Sequence, residues 1–161
     1  MTMPGWGELT TQLLALTESR LLDPLEILLE AELAEIRSRL AERAGSWAAC
    51  LLGDDDRAAA LTSIRLVAAL YPGDSPFDPP AAWWQTPFGQ VTAQRVGHPG
   101  AEAVSYAVAG AMLGVTRQGV HDLVARGKLA RHPSGGVLTV SVRDRLVQRS
   151  RAKGSHGGAG E

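Results

Sequence analysis

Three long polar side chains lie close together near residue 120, and their chemistry suits contact with nucleic acid. Arg117, Gln118 and His121 all carry hydrogen-bond donors. If the segment is a helix, their spacing brings them onto one outward face. A helix that enters the major groove of DNA with its N-terminus leading presents such side chains to base edges and phosphates. We therefore expect these three residues to read base edges.

The residues around them predict two short helices joined by a tight turn. Ser105 is suited to cap the first helix, and Gly114 is suited to end it. Thr116 is suited to cap the second helix, which is expected to end before Gly127. Apolar residues recur at helical spacing in both segments: Val108, Ala109, Met112, Leu113, Val120, Leu123 and Val124. This order is typical of a helix-turn-helix, although an ordinary helical hairpin would have the same pattern.

The segment resembles the helix-turn-helix of the MerR and excisionase-like DNA-binding families over about residues 104–147. The matching residues are Ser105, Ala109, Leu113 to Arg117, Val120, Leu123 and Gly127 to Leu129. The resemblance implies that residues 129–140 form a β-hairpin wing whose tip reaches the minor groove or its backbone. The chain departs from the pattern in its first helix, which lacks the Glu that relatives often carry.

The expected DNA-binding surface combines the second helix with the residues that follow it and with the wing. Its members are Ser105, Thr116, Arg117, Gln118, Gly119, His121, Arg126, Lys128, Arg131, His132, Ser134 and Gly135. Thr116 is expected to touch phosphate, and Gly119 is expected to permit close approach to the DNA. The expected partner is double-stranded DNA.

Charge is divided unequally between the two halves of the chain. Residues 1–80 hold six arginines and no lysine against thirteen acidic residues, a net charge of −7. Residues 81–161 hold ten basic and four acidic residues, a net charge of +6. Because phosphate repels an acidic surface and attracts a basic one, only the second half can provide the electrostatic footprint on DNA.

An apolar stripe in the acidic half predicts a surface for self-association. Asp23, Pro24 and Glu26 form the start signal of a helix expected from Pro24 to about Arg43. Its stripe is Leu25, Leu29, Leu33, Ile36 and Leu40. One DNA-reading module contacts only a few base pairs, so a homodimer through this helix would increase affinity. A monomeric helical bundle that buries the same leucines is the alternative.

Breaks in these patterns divide the chain into segments. We expect an acidic helical domain over 1–72, a linker over 73–82, a winged helix-turn-helix domain over 83–148 and a disordered tail over 149–161. Trp83 and Trp84 precede a helix expected from Pro87 to about Arg95, and core or interdomain packing is favoured for them over stacking on a ligand. The predicted fold is mainly α, with an N-terminal helical bundle or dimerisation domain and a C-terminal winged helix-turn-helix that contains a small β-hairpin.

The sequence offers no catalytic or metal-binding constellation. His98, His121, His132 and His156 lack cysteines or paired acids at ligand spacing, and no Gly-rich phosphate loop is present. We therefore expect no enzyme activity, no metal and no cofactor. Cys50, the only cysteine, is expected to be a buried core thiol. No run of 18 apolar residues is present, so we expect no membrane association and a cytoplasmic, nucleoid-associated protein.

Three functions are compatible with these features. The leading prediction is a dimeric, sequence-specific transcriptional regulator. An excisionase-like or partition-like architectural accessory is the second, and a protein-interaction adaptor is the third. No motif for a small-molecule effector is evident, and for that reason alone repression is favoured over activation.

Overall fold

The computed structural model describes residues 2–155, and the chain divides into two units. Of the described residues, the first unit comprises 4–75, and the second unit comprises 76–155 together with residues 2 and 3. Within the described residues the fold is mainly helical, with one two-stranded antiparallel sheet. Every helix in this part of the chain is too short or too polar to cross a membrane.

The first unit is built from helices that pack around aliphatic side chains. Its elements are α1 (Trp6–Thr17), a π-helical turn (Glu18–Leu22), α2 (Asp23–Leu29), α3 (Ala34–Leu52) and α4 (Asp56–Leu70). Its buried aliphatic side chains include Leu9, Leu13, Leu22, Ala44, Ala48, Leu51, Leu66, Val67 and Leu70. The carboxylate of Asp55 caps α4 by accepting a hydrogen bond from the amide of Ala58 at 2.9 Å.

The prediction of one helix over residues 24–43 is wrong. Glu30 adopts a left-handed backbone conformation, with φ of 51°, and ends α2. Across the break, the carboxylate of Glu26 accepts a hydrogen bond from the amide of Leu33 at 2.8 Å and pairs with Arg37 at 3.0 Å. Glu26 therefore provides a side-chain acceptor for an amide at the start of α3, where amides lack intrahelical acceptors.

The break also separates the residues of the expected apolar stripe. Leu25 and Leu29 lie on α2, whereas Ile36 and Leu40 lie on α3, and Leu33 is the residue before α3. Leu25, Leu29 and Ile36 are exposed, while Leu33 and Leu40 are half-buried. These five residues do not form a stripe along a single helix.

Cys50 is half-buried rather than buried as expected. Its Sγ lies 3.3 Å from the hydroxyl of Thr62 on α4. The thiol therefore joins a polar contact between α3 and α4 instead of filling the apolar core.

The second unit places two short strands among helices. Its elements are a 3₁₀ turn (Ala81–Gln85), α5 (Pro87–Arg95), β1 (Ala103–Val104), α6 (Tyr106–Leu113), α7 (Arg117–Ala125), β2 (Val137–Leu138) and α8 (Thr139–Ser155). Ala103 pairs with Leu138, and Val104 pairs with Val137. The core comprises Trp84, Ala93, Val104, Ala109, Ala111, Met112, Leu113, Val120, Leu129, Val137 and Val142.

The paired tryptophans belong to an aromatic cluster in the second unit. Trp84 is fully buried and meets Trp83 edge-on, with ring centroids 4.9 Å apart. The ring centroids of Phe77 and Trp83 are 5.2 Å apart, and those of His98 and Trp84 are 5.0 Å apart. Burial lowers the pKa of His98, against a smaller opposing effect of the Asp78 carboxylate. Core packing is thus confirmed for Trp84, and the ring of His98 is buried beside it.

The final helix extends further than expected. Because α8 continues to Ser155, residues 149–155 are helical, and the prediction of disorder is wrong for them. The guanidinium of Arg149 donates a hydrogen bond to the carbonyl of Leu113 at 2.9 Å, which satisfies a carbonyl at the end of α6. Residues 156–161, the remainder of the expected tail, include His156 and lie outside the described residues.

We predict that Arg37→Met raises the pKa of Glu26. Folding lowers this pKa chiefly because the amide of Leu33 donates to the carboxylate, and Arg37 adds charge and a hydrogen bond. The interaction therefore stabilises the fold above the ordinary pKa of 4.5, and the stabilisation is lost as the pH falls through the lowered folded value. Removing Arg37 should raise the pKa of Glu26 only part of the way toward 4.5, because the hydrogen bond from the Leu33 amide remains.

Carboxyl NMR resonances followed against pH measure this change. Arg39→Met is the matched control, since Arg39 pairs only with the exposed Glu35 among the described residues and should leave Glu26 unaffected. An unchanged Glu26 pKa in Arg37→Met would contradict the assigned interaction.

Candidate nucleic-acid interface

The turn between α6 and α7 forms as the sequence predicts. The hydroxyl of Ser105 caps α6 by accepting from the amide of Val108 at 3.2 Å. Gly114 ends α6 in the left-handed conformation, with φ of 68°. The amide of Val115 then donates to the carbonyl of Gly110 at 2.9 Å. The predicted cap and helix end are confirmed.

Gly110 permits a close backbone approach that the sequence analysis did not identify. A Cβ atom at this position would lie 2.7 Å from the carbonyl oxygen of Val115, which is closer than packing allows. Since the opposing atom belongs to the backbone, a side-chain rotation cannot relieve the contact. Glycine in the middle of a short buried helix, four residues before Gly114, was the available signal.

The start of α7 is fixed by its own cap. The hydroxyl of Thr116 accepts a hydrogen bond from the amide of Gly119 at 3.0 Å. Gly119 is half-buried, and a side chain there would meet Thr116 and Val115 at 3.4 Å. In the structure Gly119 therefore serves the packing of the turn, and its close approach to DNA stays a prediction.

Arg117, Gln118 and His121 form the outer face of α7, and all three are exposed. The amide nitrogen of Gln118 donates to the carboxylate of Asp122 at 3.2 Å. The ring of His121 meets Tyr106 edge-on, with centroids 4.3 Å apart. The outer face thus offers an exposed arginine, an amide that one carboxylate orients, and an imidazole that contacts an aromatic ring.

Residues 130–138 form a hairpin beside β1. The amide of Leu138 donates to the carbonyl of Ala130 at 2.9 Å, and Arg131 forms a β-bridge with Val137. Gly136 has φ of 80°, and a Cβ there would lie 2.5 Å from the carbonyl oxygen of Val104. A turn closed by backbone pairing is present, but its first arm contains a single β-bridge at Arg131 rather than a strand, and residues 139 and 140, expected in the wing, belong to α8. The pairing with β1 was not predicted from the sequence.

The imidazole of His132 makes contacts within the protein, at the hairpin turn. Its Nδ1 accepts a hydrogen bond from the amide of Ser134 at 3.0 Å. Its Nε2 lies 4.0 Å from the carboxylate of Glu102. A DNA phosphate approaching His132 would therefore meet the negative charge of Glu102 nearby.

All twelve expected DNA-contact residues fall in the second unit: Ser105 caps α6, and the others lie on α7, at its caps, in the hairpin or, for Lys128, between α7 and the hairpin. Ten of them are exposed, and Gly119 and His132 are half-buried. The exposed basic members outside the outer face of α7 are Arg126, Lys128 and Arg131. Two carboxylates that the sequence analysis passed over, Asp122 and Glu102, lie among these residues and reduce the local positive charge.

Neither metal clusters nor known relatives add to this description. Among residues 2–155, no group of three or more His, Cys, Asp or Glu residues is placed to hold a metal ion. Comparison with protein-family models, curated proteins and solved structures finds no match to the chain.

We predict that Gly110→Ala loosens the packing of α6 against the turn. The added methyl group must displace the Val115 carbonyl, and forced overpacking of this kind costs about 1–3 kcal/mol. Amide hydrogen exchange in residues 106–125 should therefore accelerate by about 5-fold to 150-fold if exchange follows local opening.

Gly154→Ala is the matched control, because a Cβ at that helical position meets no atom within 4 Å. It should leave exchange in residues 106–125 unchanged. Equal exchange rates in Gly110→Ala and the unmodified protein would show that the close approach does not constrain the turn.

Proposed function

We propose that the chain is a sequence-specific DNA-binding protein that reads the major groove with α7 and flanks the DNA with the hairpin. The observation that carries this proposal is the outer face of α7: three exposed donor-bearing side chains begin directly after a capped helix N-terminus. A helix of this kind can enter the groove end-on, with its first turn at the base edges.

The N-terminus of α7 also supports phosphate binding. The amides of Arg117 and Gln118 belong to the first turn of a helix, where amides lack intrahelical acceptors. A phosphate oxygen can accept from such amides in the favourable field of the helix dipole. The hydroxyl of Thr116 already accepts from Gly119 and retains its own proton for donation.

The hairpin provides a second, sequence-independent contact in this proposal. Arg131 and Lys128 are exposed near its base, and Ser134 and Gly135 are exposed in its turn. Small residues in the turn permit close approach to the minor groove or its backbone, while the basic residues attract phosphate. In this proposal α7 reads the bases, and the hairpin positions the protein on the DNA.

Substitution of two exposed arginines tests these separate roles of α7 and the hairpin. Arg117→Ala should weaken binding to the preferred site by about 1–3 kcal/mol and relax base preference. Arg131→Ala should weaken binding to all sequences to a similar degree and reduce the dependence of affinity on salt. Fluorescence anisotropy with selected and random duplexes at several salt concentrations measures both effects.

The two arginines act as controls for one another, since both substitutions remove one exposed guanidinium. If they changed specific and random binding in the same proportion, the assignment of α7 as the reading helix would fail. A footprint on the selected DNA further separates the candidate roles. One palindrome indicates a dimeric regulator, and a series of direct repeats indicates an architectural accessory.

We also propose that the protein is a homodimer through the first unit. Leu21, Leu25, Leu28 and Leu29 lie on one face of the continuous π-turn and α2 segment, and 81% of Leu28 is exposed. Together these leucines form an exposed apolar patch on one helical face, and contiguous apolar patches are a feature of association surfaces. The expected dimer residues Leu25 and Leu29 belong to this patch, and Ile36 is exposed on α3.

Leu25→Asp with Leu29→Asp should convert the dimer to monomers and lower DNA affinity without altering α7. Both residues are exposed within the protomer, so charge there should not disrupt its core. Leu61→Asp with Ile64→Asp, two exposed positions on α4, is the control and should preserve the dimer. Sedimentation of the unmodified protein as a 17.0 kDa species at tens of micromolar would contradict the proposal.

A further inference from the structure

The first unit contains a pocket of about 330 Å³ between the end of α1, α3 and α4. Its inner wall includes the buried aliphatic side chains of Leu66 and Leu70. The half-buried indole of Trp47 lines the same pocket, and Ala69 lies at its exposed edge. This volume is at the lower end of the range for small-molecule pockets, about 300–1,000 Å³, and an apolar lining is typical of them.

Two arginines, Arg43 and Arg65, also line the pocket. Arg43 lies over the Trp47 ring, with its Cζ 5.7 Å from the ring centroid. Both arginines are exposed, so their charges face solvent. A mainly apolar pocket that is also lined by two cationic residues is complementary to an apolar molecule that carries negative charge.

Other arginines of the first unit form ion pairs, whereas among the described residues the two pocket arginines do not. Arg37 pairs with three carboxylates, those of Glu18, Asp23 and Glu26, and Arg39 pairs with Glu35. By contrast, within residues 2–155 no carboxylate lies within 4.0 Å of the Arg43 or Arg65 guanidinium. In a half of the chain that carries thirteen acidic residues, the two cations at the pocket are therefore left available.

We propose that this pocket binds a small organic anion with an aromatic or branched apolar body and one carboxylate. The carboxylate would accept hydrogen bonds from Arg43 and Arg65, whose planar guanidinium groups match its geometry. The apolar body would pack on Trp47 and Leu66. The proposal concerns the first unit alone and does not depend on DNA binding.

Matched probes and NMR of the full chain test the pocket directly. 4-Phenylbutyrate and 2-naphthoate are the anionic probes, and 4-phenylbutanamide is the neutral partner of the first. Saturable shifts of the Trp47 indole N–H should occur with at least one anion at millimolar concentration or below. The amide should bind at least about tenfold more weakly than phenylbutyrate, since it cannot form charge-assisted hydrogen bonds with the arginines.

Paired variants separate the pocket from the exposed apolar patch on α2. Arg43→Gln with Arg65→Gln should weaken the anion at least about tenfold, while Arg39→Gln with Arg57→Gln removes the same charge elsewhere and should not. Ala69→Phe should block the pocket from its exposed edge, whereas Ala68→Phe, at a neighbouring exposed position outside the lining, should leave binding intact.

Any of three results would overturn the proposal. The first is the absence of saturable Trp47 shifts with both anions in a protein whose NMR spectrum is that of a folded chain. The second is equal affinity of the protein for the anion and the amide, and the third is equal affinity of the two double-arginine variants for the anion. Either of the last two would leave an apolar pocket without anion recognition.

Discussion

The close backbone approach between Gly110 and Val115 is the constraint on which the candidate interface depends. The Val115 carbonyl occupies the space that a side chain at residue 110 would fill, and the Val115 amide donates to the Gly110 carbonyl. These contacts hold α6 against the turn that begins α7. Since the Thr116 cap follows immediately, the backbone of the turn determines which face of α7 is buried through Val120 and which is exposed. The polar outer face follows from that packing.

Much of the second unit could be predicted because its signals are local. Ser105, Thr116 and Gly114 act through hydrogen bonds and backbone angles within a few residues, and the structure confirms all three roles. The pairing of β1 with β2 and the hydrogen bond from Arg149 to Leu113 could not be predicted this way, because each joins residues more than thirty positions apart. Nothing in the local pattern of either segment specifies its partner.

In the first unit, a strong local signal gave the wrong element. The Asp-Pro start and the regular leucines favoured one long helix, but Glu30 breaks it. The break is stabilised by Glu26, which contacts the Leu33 amide and Arg37. The residue that predicted the start of the helix therefore also stabilises the point where that helix ends. The residues of the expected apolar stripe are consequently divided between α2 and α3. The pocket near Trp47 was equally hidden from sequence analysis, because it combines residues from three separate helical segments.

DNA reading is proposed for the second unit, in agreement with the net positive charge of residues 81–161, whereas association and ligand binding are proposed for the first unit. If these roles are correct, the full chain selects particular DNA sequences. The most direct measurement is selection of bound duplexes from random DNA at low and moderate salt, followed by sequencing. We expect enrichment of a short motif, with half-sites about 34 Å apart or a multiple of this if the protein binds as a dimer. Failure of the protein to retain any duplex DNA at low salt would contradict sequence-specific binding.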